Sequence, residues 1–174
     1  MITTTRPGVD EYAPSYGDYV ARIDEDEEIV AVLITQLDQV LAGLGRIREV
    51  RGDHRYATDK WSIKEIIGHL CDTERVFAYR ALRVGRGDGT PLPSFDDHSY
   101  VAESRAGDRT LADLAAEWGD VRRATIALFA NLPAEAWHRR GTASDQPISV
   151  RALAYVIAGH LRHHLQILEE RYTE

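Results

Sequence analysis

Apolar side chains recur at steps of three and four along four separate segments of this chain, each roughly 20 residues long. The clearest stripe is Ile29, Val32, Leu33, Gln36, Leu37, Val40, Leu41, Leu44 and Ile47. A helix built this way has one apolar face that must be covered by another element. The expected span is about Glu25 to Arg48, with Asp24 and Glu27 as its capping pair.

The second segment opens at Trp61-Ser62, where Ser62 and Glu65 have the spacing of a capping box. Its stripe is Ile63, Ile66, Ile67, Leu70, Phe77 and Ala81, and Gly85 and Gly87 stop it. The third begins near Thr110, carries Leu111, Leu114, Trp118, Val121, Thr125 and Phe129, and breaks at Leu132-Pro133. Residues 133–137 then read as one further helical turn. The fourth follows Ile148-Ser149 and runs to about Arg171. Strand alternation is scarce, and no strand is needed to complete the design. Four such helices bury their stripes most simply as an all-α four-helix bundle.

At 174 residues the chain suits a single domain, 1–174, with residues 1–21 as an irregular N-terminal arm holding Pro7, Pro14 and three tyrosines. The connection from Gly85 to Arg109 is too long for a tight hairpin and must cross the bundle or cover a site. It contains Pro91, Pro93, Phe95, Asp96, Asp97, His98 and Tyr100.

Lys and Arg number 21 against 28 Asp and Glu, a formal charge of −7, so no attraction for nucleic acid is expected. Arg80, Arg83 and Arg86 fall at helical spacing and read as a solvated face. No apolar run approaches the ~20 residues that span a bilayer, so no membrane partner is expected. Cys71 is the single cysteine and has no internal disulfide partner. The chain opens without a basic-then-apolar leader, and the expected compartment is the cytoplasm.

The fourth helix carries the chemistry. With Leu153 as zero, Val156, Ile157, Leu161 and Leu168 mark an apolar arc, and His160 and His164 fall at about −20° and +20°, in its centre. His163 falls at about −80°, at the edge of the arc. Two imidazoles one turn apart in a dry core need partners. They find them in hydrogen-bonding groups of other helices, or in one shared metal ion. On the second helix His69 flanks the core stripe, in line with Ile66, Thr73 and Val76, a position open to a neighbouring helix or to solvent. Glu74 falls inside the stripe and needs either a ligand histidine to orient or an arginine to pair with. Asp72 is another acid near His69, and Cys71 points to nearly the opposite side of the helix from His69. His54, His98 and His138 sit in loops or turns, and no nucleophile, phosphate-loop or CxxC signature occurs.

The run from Trp61 to Arg80, the closing Gly159-His160-Leu161-Arg162-His163-His164, and the loop Pro93-Ser94-Phe95-Asp96-Asp97-His98-Ser99-Tyr100-Val101 together resemble the DinB-like superfamily in its YfiT-like branch. The loop departs from that pattern in reading Asp97-His98-Ser99. The resemblance implies an up-down-down-up bundle, often a homodimer, and one divalent ion, zinc or nickel, on His69, His160 and His164. Asp72, Glu74, His163, Asp96, Asp97 and His98 are then candidates to support the ligands or line the pocket. It also implies a small-molecule substrate and, in relatives, a low-molecular-weight thiol such as bacillithiol or mycothiol as co-substrate. Three functions follow as expectations: a metal-dependent S-transferase, a metal-dependent hydrolase, and a metal-binding stress protein without catalysis.

Overall fold

The computed structural model describes residues 5–172. The ends of the expected 1–174 span, residues 1–4 and 173–174, lie outside the described residues. Six α-helices occur among them: α1 (Gly17–Val20), α2 (Ile29–Leu44), α3 (Ile63–Gly85), α4 (Asp97–Ser104), α5 (Leu111–Ala130) and α6 (Val150–Arg171). The long helices α2, α3, α5 and α6 make the bundle, so the fold is the expected all-α one.

Side chains set the helix starts. The Ser62 hydroxyl accepts from the Glu65 amide at 3.2 Å, and the Glu65 carboxylate accepts from the Ser62 amide at 2.7 Å. Thr110 caps α5 and Ser149 caps α6 in the same manner, at 3.1 and 3.0 Å. Each such cap contributes about 1 kcal/mol. The start of α2 lies later than expected. Asp24 and Glu27 close a turn of their own, and Glu28 caps the helix by accepting from Val30 and Ala31. At the far end of α3, Gly87 takes φ +80°, a conformation that costs glycine nothing.

The order of packing is less simple than the order of the sequence. α5 packs on both α2 and α3, and α6 also packs on both, so α2 and α3, consecutive in sequence, sit across the bundle from one another. Arg75 pairs with Glu117, and Leu82 and Leu128 line one groove farther along, so α3 and α5 run parallel. Parallel neighbours cannot be joined by a tight turn, which accounts for the long connection between them.

That connection is ordered by two devices. One is α4, which the sequence pattern does not announce. The other is a hairpin, β1 (Arg140–Ala143) with β2 (Gln146–Ser149), although no strand was expected. Its turn residues Ser144 and Asp145 have φ 53° and 59°, the conformation of a two-residue hairpin turn, but neither is the glycine that usually marks one. Leu92 docks on this hairpin: its amide donates to Thr142 O and its carbonyl accepts from Ser144, both at 2.9 Å. Residues 5–21 hold two short 3-10 turns and α1, which packs on α6. No helix among the described residues is long and apolar enough to cross a membrane.

Arg80 corrects the reading of a solvated arginine face. It is 2% exposed, whereas Arg83 stays near the surface beside Asp88. Successive steps of three rotate around a helix by about 60° each, so three arginines need not share one environment.

Candidate metal centre

Helix α3 delivers His69, and α6 delivers His160 and His164 one turn apart. All three side chains are buried, at 5%, 6% and 8% exposure. Nε2 of His160 lies 3.1 Å from Nε2 of His69 and 3.0 Å from Nε2 of His164. Burial holds all three rings neutral. The pKa of His69 is lowered to about 4, against some opposition from Asp97, and that of His164 to about 3. His160 is pushed well below the ordinary histidine value, first by burial and then by the neighbouring histidines.

Hydrogen bonding does not account for this cluster. A neutral imidazole nitrogen carries either one proton or one lone pair, so Nε2 of His160 makes one hydrogen bond. It has two close nitrogen neighbours. The second contact must then oppose two lone pairs or two N–H groups. A cation placed among three lone pairs removes the conflict. Nitrogens bound at the usual ~2.0–2.1 Å around tetrahedral zinc lie roughly 3.3–3.4 Å apart, near the spacings seen here. One ligand atom from each histidine lies within 4.8 Å of the others. The donor set therefore fits a divalent ion. Thr73 supports it: its hydroxyl lies 3.3 Å from Nδ1 of His69, and as acceptor there it leaves a lone pair on Nε2.

Aromatic rings wall the cluster. Trp61 lies 4.7 Å from His69, Tyr19 5.3 Å from His160, and Phe77 6.3 Å from His160, centroid to centroid. A cleft of about 210 Å³ opens beside them, lined by His164, Trp61, His98 and Tyr172 among others.

The remaining candidates go to different places. Glu74 is spoken for by Arg122, which donates from Nε and Nη2 to its two oxygens at 2.8 Å each. Arg122 also donates to Gln36 at 2.7 Å, and Gln36 donates to Ala158 O at 3.0 Å, tying all four bundle helices together. Asp72 turns to Arg75 at 3.5 Å. His163 lies 3.4 Å from Arg22 and beside Tyr19, at the rim. Asp96 caps α4 by accepting from His98 and Ser99. Asp97 accepts from the His98 amide at 2.9 Å, and its charge is felt at His69. His98 is exposed on the cleft, 5.2 Å from Trp61. Of these acids, Asp97 alone bears on the histidines.

One contributor escaped sequence reasoning. Tyr19 comes from the arm, which shows no periodicity. It fits because Gly159 lets the backbone of Tyr19 approach α6; a Cβ on Gly159 would lie 1.9 Å from Tyr19 O. A glycine inside a helix costs about 1 kcal/mol relative to alanine, which is the signal that something passes close.

The DinB superfamily model matches residues 32–168. No curated protein matches the chain. Among solved structures, the chain resembles YfiT from Bacillus subtilis, described as a probable metal-dependent hydrolase with an unusual four-helix bundle topology. The TM-score is 0.70 at 16% identity, over 93% of this chain and 92% of that one. It also resembles a mycothiol-dependent maleylpyruvate isomerase, with a TM-score of 0.66 at 12% identity, over 79% of this chain and 57% of that one. At these identities the likeness speaks for the fold. With a family match across most of its length and a bundle of this topology, the chain belongs to the DinB superfamily.

Proposed function

We propose that His69, His160 and His164 hold one divalent metal ion through their Nε2 atoms, and that the protein is a metal-dependent enzyme using a low-molecular-weight thiol as co-substrate. The observation that carries the reading is the pair of 3.0 and 3.1 Å nitrogen contacts at one His160 atom. When bound, the ion would supply Lewis acidity, favouring the ionised form of a thiol or water at its open position.

The chain's own residues prepare that position. Three neutral rings leave the charge of an ion uncompensated. Trp61, Tyr19 and Phe77 pack against the histidines, which are 8% exposed or less. Cys71 is buried and its thiol pushed up to about 12, so any sulfur nucleophile has to come from a small molecule. A thiol ionises near pH 8.5 unaided and needs little help from a base. Glu74 and Asp72, the acids that would assist hydrolysis, face Arg122 and Arg75 instead. Hydrolysis stays the second reading because Asp97 is an acid whose charge is felt at His69.

Elemental analysis of tag-free protein tests the ligand set. Near one ion per chain is expected, lost in His160→Ala and kept in His163→Ala; absence of metal in native and reconstituted samples overturns it. Cobalt-substituted protein titrated with 2-mercaptoethanol tests the thiol. A shifted visible spectrum supports the transferase reading, and ester turnover without thiol supports hydrolysis in its place.

A further inference from the structure

Among the described residues two arginines are deeply buried, Arg80 at 2% and Arg122 at 0% exposure. Arg122 is fully provided for by Glu74 and Gln36. Arg80 is not. Its Nη2 donates to Pro93 O at 2.7 Å and to the Ser144 hydroxyl at 3.1 Å. Its guanidinium lies over two rings, 5.6 Å from the centroid of Phe77 and 5.7 Å from that of Phe95. No acidic side chain among the described residues pairs with it, and Nε and Nη1 have no hydrogen-bond partner there. Neither atom belongs to the polar atoms sealed from solvent without a partner, so each keeps a sliver of accessible surface.

Arg80 lines a cleft of about 290 Å³ between α3 and the connection that follows it. Its walls include Val76, Tyr79, Leu92, Phe95 and Tyr100, and also Arg75, whose charge is taken up by Glu117 at 2.6 Å. A guanidinium is always charged, and burying an ion without a counter-charge costs several kcal/mol. Two cation–π contacts return only part of that. The pocket is thus mostly apolar and aromatic, with Arg80 as the cation in its lining that no carboxylate neutralises.

We propose that Arg80 is the anion-recognition residue of a second binding pocket, between α3 and residues 92–100, which takes a small organic carboxylate with an apolar body. The carboxylate accepts charge-assisted hydrogen bonds from Nε and Nη1, and its body lies against Tyr79, Phe95 and Tyr100. Such bonds are roughly twice as strong as neutral ones, so they discriminate sharply against an uncharged analogue. The pocket neighbours the histidine cluster. Phe77 contacts both Arg80 and His160, and Arg80 falls within about 20° of His69 around α3. The proposal stands whether or not the histidines hold an ion.

The test titrates the full chain, as purified and again after chelator treatment, with phenylacetate and with its neutral isostere phenylacetamide. Amide NMR shifts read the binding. Saturable shifts around Tyr79, Leu92, Phe95 and Tyr100 are expected, with the acid bound at least ten-fold more tightly than the amide in both preparations. Arg80→Gln should abolish that preference, while Ser144→Ala, which removes only the loop tether, should keep it. Where Arg80→Gln unfolds, Arg80→Lys provides the comparison, with the preference reduced and not lost. Equal affinity for acid and amide, preference unchanged in the Arg80 variants, shifts confined to the histidine cluster, loss of binding on chelation, or no saturable binding would each overturn the proposal.

Discussion

The carboxylate of Glu74 and the guanidinium of Arg122 meet side-on in the bundle interior, with both side chains at 5% exposure or less. Two parallel 2.8 Å hydrogen bonds hold α3 to α5, and Gln36 extends the arrangement to α2. Removing one member strands a buried charge. Glu74→Gln should cost about 3–5 kcal/mol, and Glu74→Leu with Arg122→Met together less than the sum of the single changes. Urea denaturation midpoints check both; additive losses would show that the pair is not coupled.

Glu11 anchors the N-terminal arm and sets an acid limit. Burial raises its pKa, but the Arg151 side chain, the Gly8 amide and the Ser149 hydroxyl outweigh burial and hold it at about 2. The folded value is below the unfolded one, so the unfolded state binds the extra proton and stability falls as pH drops. The contribution is complete above about pH 5 and is lost towards pH 2, a loss on the order of 3 kcal/mol. Melting temperature followed through that window should fall less steeply in Glu11→Gln than in the native chain.

Gly159→Ala should destabilise the protein by about 1–3 kcal/mol or more, because the added carbon meets the backbone of Tyr19 and has nowhere to yield. The same displacement moves the Tyr19 ring away from His160. Thermal unfolding measures the first effect. A weakened metal affinity in the folded fraction measures the second, and an unchanged affinity would remove Tyr19 from the site.

Trp61 provides an optical readout. Its ring lies 4.7 Å from His69, while Trp137 packs on Phe129 and Trp118 lies under Arg122. Titration with nickel or copper should quench fluorescence to an endpoint of one ion per chain, and Trp61→Phe should lose most of the quench. A quench that survives this substitution would place the ion elsewhere.

Much of this was legible in the sequence. The stripes, the capping box at Ser62 and the starts near Thr110 and after Ser149 mark three of the bundle helices, and the helical wheel puts His160 and His164 inward. The rest depends on partners distant in sequence. Glu74 sits in an apolar stripe, but nothing local tells that Arg122 will face it, because that requires α5 to lie beside α3. Arg80 looks like its neighbours Arg83 and Arg86 until its wheel position is set beside His69. The hairpin is hidden because Ser144-Asp145 makes a turn usually signalled by glycine. The α2 start moved because Glu28, a weaker capping type, took the role from the Asp24 turn.

Cys71 gives the buried core a chemical consequence. Oxidants attack the thiolate, and attack it where they can reach it. Cys71 is 1% exposed and its thiol is pushed up to about 12, so it offers neither the charge nor the access. Peroxide or disulfide stress that consumes free thiols in the surroundings would leave the Cys71 thiol as it was. The chain's single thiol is therefore no sensor of such stress.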